Sequence, residues 1–113
     1  MVGDGYLTLN NCKVFGDSEC GSMFELTVID SYIEQLSVLY DLPSFSVPII
    51  IQNSDVTFMF TDYVINDIIN GQYTNTKIQI DSKSKIKLPS QLKTAVINNQ
   101  LFEIEYGAEI TYY

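Results

Sequence analysis

Apolar and polar residues alternate in short runs along much of this 113-residue chain, and that period of two constrains the fold more than any other feature. Successive side chains of a strand point to opposite faces, so such a run reads as a strand buried on one side only. Tyr6 to Phe15, where Leu7 and Leu9 alternate with Thr8 and Asn10, is expected to be a first strand. Gly16, Asp17, Ser18, Glu19 and Gly21 follow as a polar loop. Met23 to Ile29 is a second half-buried strand, with Phe24, Leu26 and Val28 alternating against Glu25 and Thr27.

The period then changes. Ser31 followed by Glu34 matches a capping box, in which two side chains satisfy free backbone N–H groups at a helix start. Ile29, Ile33, Leu36 and Tyr40 recur at helical spacing, which predicts a helix from Tyr32 to Tyr40 that stops before Pro43. Val47 to Gln52 and Val56 to Thr61 are β-rich, and Gln52-Asn53-Ser54-Asp55 between them suits a hairpin loop. Asp62 is placed to cap a short helix over Tyr63 to Ile69, with Val64, Ile65, Ile68 and Ile69 on one face and Asn70-Gly71 as a left-handed end. The Ile and Val content of that segment also favours a strand.

From Thr76 onward the pattern reads strand (Lys77 to Asp81), turn, strand (Lys85 to Leu88), short helix after Pro89, strand (Leu101 to Tyr106), turn at Gly107 and final strand (Glu109 to Tyr113). No repeat, linker or low-complexity stretch is visible, so residues 1–113 are expected to form a single domain. The fold class expected is α+β and β-rich: a mostly antiparallel sheet, sandwich- or barrel-like, with two or three short helices.

The side-chain inventory bears on function. The chain has no histidine, no arginine and no tryptophan. Histidine is the side chain that titrates near neutrality and the commonest metal ligand. Arginine reads phosphates and guanine edges with a two-pronged fork. Acid–base catalysis without histidine needs a perturbed carboxylate, lysine or tyrosine, and no acid pair stands in a recognisable catalytic context. No glycine-rich phosphate loop is present. Asp4, Asp17 and Glu19 fall in N-terminal loops, but their spacing matches no calcium loop. The expectation is a non-enzyme with no catalytic residues, cofactor or metal.

Cys12 and Cys20 make no disulfide framework of the kind small secreted domains carry. No signal peptide is expected, and the longest apolar run, Val47 to Ile51, is far too short to span a bilayer. The expected location is cytoplasmic on synthesis, with incorporation into a virion as the destination. The chain is rich in Ile (14), Tyr (8) and Asn (8), residues with AT-rich codons, as in the low-GC genomes of many bacteriophages and their hosts.

Charge is unevenly spread. The net charge is −8, yet five of the six lysines fall between Lys77 and Lys93. The acidic first part, residues 1–75, would repel a nucleic-acid backbone, so nucleic acid is an unexpected partner, as is a membrane. Lys77, Lys83, Lys85 and Lys87 share odd numbering and would project to one face of a continuous extended strand, leaving Ile78, Ile80, Ile86 and Leu88 for the core. Such lysines either protect a solvated strand edge or dock an acidic partner, including the acidic surface of another copy. With Lys93, Tyr112 and Tyr113, they are the candidate interaction residues, since tyrosine combines a large apolar face with a polar tip.

The run from Asp81 to Lys93, with Leu88-Pro89 at its centre, followed by Leu101 to Glu105, resembles the AbrB/MraZ swapped-hairpin pattern. That family places a strand, a turn and a strand before Leu-Pro, then a short helix and a β return. The resemblance implies a dimer that binds DNA through basic residues, here Lys83, Lys85 and Lys93. The family's Gly-Arg pair at the turn is Ser84-Lys85 in this chain.

The leading functional expectation is a structural or assembly subunit of a larger complex, above all a bacteriophage or viral particle component (capsid decoration, connector or tail protein), with copies of itself and other subunits as partners. The alternatives are the AbrB-like regulator and an acidic inhibitor that occupies a basic surface of a host enzyme.

Overall fold

The computed structural model describes residues 5–20, 24–38, 48–72, 77–98 and 100–113. Among the described residues ten strands occur, in the order β1 (Gly5–Asn10), β2 (Lys13–Cys20), β3 (Phe24–Ile29), β4 (Tyr32–Val38), β5 (Ile49–Gln52), β6 (Asp55–Phe60), β7 (Ile78–Ile80), β8 (Lys85–Leu88), β9 (Phe102–Ile104) and β10 (Glu109–Tyr112). Odd strands form one sheet in the order β1-β3-β5-β7-β9, and even strands form a second in the order β10-β8-β6-β4-β2. Successive strands alternate between the two sheets, so one odd and one even strand make a coil. Five coils stack, and every strand pair is parallel. This is a two-sheet parallel β-solenoid.

The sheet is therefore not mostly antiparallel, and three local expectations fall with it. Residues 52–55 do not close a hairpin: β5 pairs with β3 and β7, while β6 pairs with β4 and β8. The swapped hairpin implied by the AbrB/MraZ resemblance is not made either, because β7 and β8 belong to different sheets. The chain is also repetitive. Its odd strands begin at Gly5, Phe24, Ile49, Ile78 and Phe102, giving coil lengths of 19, 25, 29 and 24 residues. That spread hides the repeat from any fixed-period reading.

The alternation expected from sequence becomes rows that run across the coils. Leu7, Leu26, Ile49, Ile78 and Phe102 form one inward row of the first sheet, and Leu9, Val28, Ile51, Ile80 and Ile104 form the next. The second sheet contributes Val14, Ile33, Val56, Ile86 and Ile110. These rows pack as one hydrophobic cluster, in which Leu26, Val28, Phe58 and Ile51 are wholly buried. Burying one such side chain contributes about 1.5–3 kcal/mol.

The expected helix from Tyr32 is strand β4; residues 39 and 40 lie outside the described residues, as does Met23. Its helical spacing has a specific cause. Between Ile33 and Leu36 β4 carries two residues where β6 carries only Thr57, so a β-bulge stretches an alternating pattern to a separation of three. Ser31 and Glu34 make no capping box: the Ser31 hydroxyl accepts from the Cys12 N–H, and the Glu34 carboxylate accepts from the Gly16 N–H at 2.7 Å. Gly16, Asp17, Ser18 and Glu19 are not a loop but part of β2, where Gly16 takes a φ of +80° at a second bulge. Gly21 and Asp4 lie outside the described residues. The expected first strand, Tyr6 to Phe15, is broken by the corner at Asn11.

Both helical expectations after β6 hold. Helix α1 (Asp62–Ile69) buries Val64, Ile65 and Ile68, while Ile69 is exposed. Its N-cap is Thr61, whose hydroxyl accepts from the Val64 N–H, and not Asp62. At its end Gly71, with φ +70°, donates to the Ile68 carbonyl and Gln72 donates to that of Asp67, a Schellman closure. After Pro89 a 3₁₀ turn (Ser90–Leu92) leads into helix α2 (Lys93–Ile97). Both helices lie in connections from the second sheet back to the first, opposite the Asn11, Asp30 and Asn53 corners.

Those corners are built from a repeated polar pair. Asn11, Asp30 and Asn53 sit at φ +56°, +50° and +47°, the left-handed region that Asn and Asp tolerate best after glycine. The next residue in each is Cys12, Ser31 and Ser54, with Ser84 and Ala108 in the matching places of the last two coils. The Cys12 N–H donates to the Ser31 hydroxyl at 3.1 Å, the Ser31 N–H to the Ser54 hydroxyl at 3.0 Å, and the Ser54 N–H to the Ser84 hydroxyl at 3.1 Å. The hydroxyls of Ser31 and Ser54 donate in turn to the carbonyls of Ile29 and Gln52. Each buried serine thus satisfies a backbone donor of the preceding coil, which would otherwise be orphaned.

Removing one hydroxyl leaves that donor unpaired. Ser54→Ala is expected to cost about 1–3 kcal/mol, read as a lower denaturant midpoint at unchanged slope, whereas Ser82→Ala at an exposed position should leave the midpoint unmoved.

Candidate functional site

The corners stack into a polar ridge, and beside it runs a groove of about 390 Å³. Its walls include Lys13, Lys83 and Lys85, together with Asp30, Asp55 and Tyr32. Three of the six lysines therefore meet in one groove, one of them Lys13, which is seventy residues from Lys83 in sequence. The coil stacking brings it there: the first outward row of the second sheet reads Lys13, Tyr32, Asp55, Lys85 and Glu109. Asp55 lies between Tyr32 and Lys85, and Lys85 between Asp55 and Glu109, so neighbouring charges alternate in sign, which stabilises a sheet surface. Tyr32 is joined by exposed Phe15, their ring centroids 5.7 Å apart.

The carboxylates of the ridge are engaged. Asp30 accepts from the Asn53 side-chain amide at 2.7 Å. Asp81 accepts from the N–H groups of Asn53 and Lys83 and from the Ser84 hydroxyl, the last at 2.7 Å. Partial burial pushes the Asp81 carboxyl upward, but the Ser84 hydroxyl, these two N–H groups and the Lys83 charge outweigh it and hold the carboxyl below its ordinary value. Asp81 thus serves the longer corner of the fourth coil, taking up the N–H of Asn53.

The candidate interaction residues are dispersed. Lys85 and Lys87 project together from β8, with Ile86 and Leu88 buried behind them, and Lys83 lies in the corner before it. Lys77 precedes β7 in the other sheet and does not join that face. Lys93, on α2, holds its ammonium 5.8 Å from the centroid of the Tyr112 ring. The Tyr113 hydroxyl donates to the Phe58 carbonyl at 2.6 Å, tying the last residue to its own second sheet, and burial raises the pKa of both tyrosines. Cys12 is a free thiol that donates to the Asn10 carbonyl. Among the described residues no group of three or more His, Cys, Asp or Glu is placed to hold a metal ion, and no helix is long and apolar enough to cross a membrane.

A second kind of surface lies at the two ends of the solenoid. Within the described residues β1 and β2 each have one strand neighbour, as do β9 and β10. Most inward rows lose cover there, the exception being the row that ends at Phe102, which is wholly buried. Leu26, Val28 and Ile33 are buried, but their row-mates in the first coil, Leu7, Leu9 and Val14, are only partly so. At the other end Ile80, Ile86 and Leu88 are buried while Ile104, Ile110 and Tyr112 are partly so. Sequence reading missed both the ends and the groove. The recurring pairs Asn11-Cys12, Asp30-Ser31 and Asn53-Ser54, each just after a β-rich run, are the signal that could have revealed them.

Comparison with protein-family models, curated proteins and solved structures gives no match.

A lowered carboxyl pKa stabilises the fold above the ordinary carboxylate value, and that contribution is lost as pH falls below it through the folded value. Asp81→Asn should therefore flatten the acid limb of stability against pH, most visibly below about pH 4. A limb identical to that of the wild type, measured by denaturant titration at each pH, would contradict this role.

Proposed function

We propose that this chain is a non-enzymatic structural subunit of a larger assembly, and that the assembly is a bacteriophage or viral particle in which it acts as a capsid decoration, connector or tail component. The observation that carries the reading is the pair of coil ends. Among the described residues each outer strand there has a neighbour on one side only, and most of the inward apolar side chains are only partly covered. Terminal repeats of solenoids are ordinarily capped by polar surface, and open strand edges invite pairing. An end that exposes both backbone groups and half-covered Leu, Ile and Tyr side chains is suited to contact with further protein.

Three sequence features support the same reading. The residue usage fits a low-GC genome, the side chains on which neutral-pH catalysis most depends are lacking, and fourteen Tyr and Phe residues supply interface-forming surface. The fold adds a regular scaffold of stacked coils with largely polar outward positions and partly covered apolar side chains at both ends.

Isolation of the native complex from its source, followed by mass determination, tests the reading. The expected result is a complex of several subunits in which this chain is a stoichiometric component. Recovery of the chain only as a free monomer, with no stable partner, would overturn it.

A further inference from the structure

We propose that the last coil of one copy (β9 and β10) stacks on the first coil (β1 and β2) of a second copy, continuing both sheets in parallel. The inference rests on the assembly reading above and names its partner as another copy of this chain. In a parallel pair alternate residues direct their N–H and C=O groups toward a given neighbour. The edges of β9 and β10 away from β7 and β8, and those of β1 and β2 away from β3 and β4, are the complementary halves of one ladder.

Side-chain rows select this arrangement. Continuing the registered rows across the junction sets Leu7 beside Phe102, Leu9 beside Ile104 and Val14 beside Ile110, so apolar meets apolar in every inward row they define. In the outward row Lys13 of the second copy comes next to Glu109 of the first, about 4.8 Å away along the ladder, and the sign alternation of Asp55, Lys85 and Glu109 continues. The corner column is also ready for the junction. Ala108 stands where the inner coils carry serine, and its N–H is already taken by the Glu105 carbonyl at 3.2 Å, so it needs no hydroxyl from the next coil.

A closed two-fold dimer fits less well. Pairing two last coils sets Glu103, Glu105 and Glu109 against the same three acids, with no lysine after Lys93 to offset them. Any two-fold contact also covers only one kind of end and leaves the other apolar rows exposed. The head-to-tail contact covers both, and as a heterologous contact it propagates into open linear stacks.

Charge reversal tests the contact without disturbing the core, because Lys13 and Glu109 are both exposed. Wild-type protein should form linear stacks that grow with concentration, seen by light scattering and electron microscopy. Lys13→Glu alone and Glu109→Lys alone should each associate at least about five-fold more weakly at low salt, since a favourable cross-strand pair becomes a repulsive one. An equimolar mixture of the two variants should recover stacking, because every junction then pairs Lys with Glu again. Circular dichroism confirms that each variant remains folded. Variants that stack as the wild type does, a mixture that fails to recover, or a closed dimer indifferent to both reversals would overturn head-to-tail stacking while leaving the assembly reading intact. Wild-type protein that stays monomeric would also overturn it, and the assembly reading would fall as well only if the native complex were absent.

Discussion

The corner made by a left-handed Asn or Asp and a following serine is the constraint on which the rest of this molecule depends. A positive φ turns the chain sharply enough to leave one sheet and enter the other instead of folding back on itself. That turn forces parallel pairing, because every strand of a sheet is then reached from the same direction. It also brings the backbone of successive corners close together, where their N–H groups need acceptors in a partly dry environment. The hydroxyls of Ser31, Ser54 and Ser84 supply them, one coil to the next. The column is therefore both a turn device and a vertical hydrogen-bond ladder, and it fixes the register that aligns the apolar rows.

From that register the functional surfaces follow. Leu26, Val28, Ile33, Ile80 and Ile86 are covered where a coil lies on each side, whereas Leu7, Leu9, Val14, Ile104 and Ile110 in the end coils are only partly covered. Phe102 alone of these row ends is buried, so the sticky surface sits at the ends. The same stacking collects Lys13, Lys83 and Lys85 in one groove beside carboxylates, so the basic cluster does not form a separate patch. The two-signed character of the sequence, acidic to residue 75 and basic from Lys77 to Lys93, appears on the folded surface as alternation along the first outward row of the second sheet. A surface of that kind favours registered contact with its own continuation.

Much of the local structure was legible in the sequence, and the topology was not. Leu26 and Val28, Ile78 and Ile80, and Ile86 and Leu88 were assigned to the core by alternation and are buried there. The short helix after Phe60, its Gly71 end and the turn after Pro89 also follow from local chemistry. Alternation says which face a side chain takes but nothing about the direction of the neighbouring strand, so β5 and β6 read as a hairpin. Bulges misled twice: an inserted residue in β4 gave Ile33 and Leu36 a helical separation, and Gly16 in β2 imitated a loop. Variable connections, two of them carrying helices, erased the period. The groove went unseen for a related reason, since only the coil register places Lys13 near Lys85.

The Asn53-Ser54 corner passes the chain from one sheet to the other, and cross-strand nuclear Overhauser effects read that connection in solution. An isotope-labelled sample should show backbone contacts from Val56 to Ile33 and to Ile86, its register partners on either side. Backbone contacts pairing Ile51 with Val56 across the corner, as in an antiparallel hairpin, would contradict it.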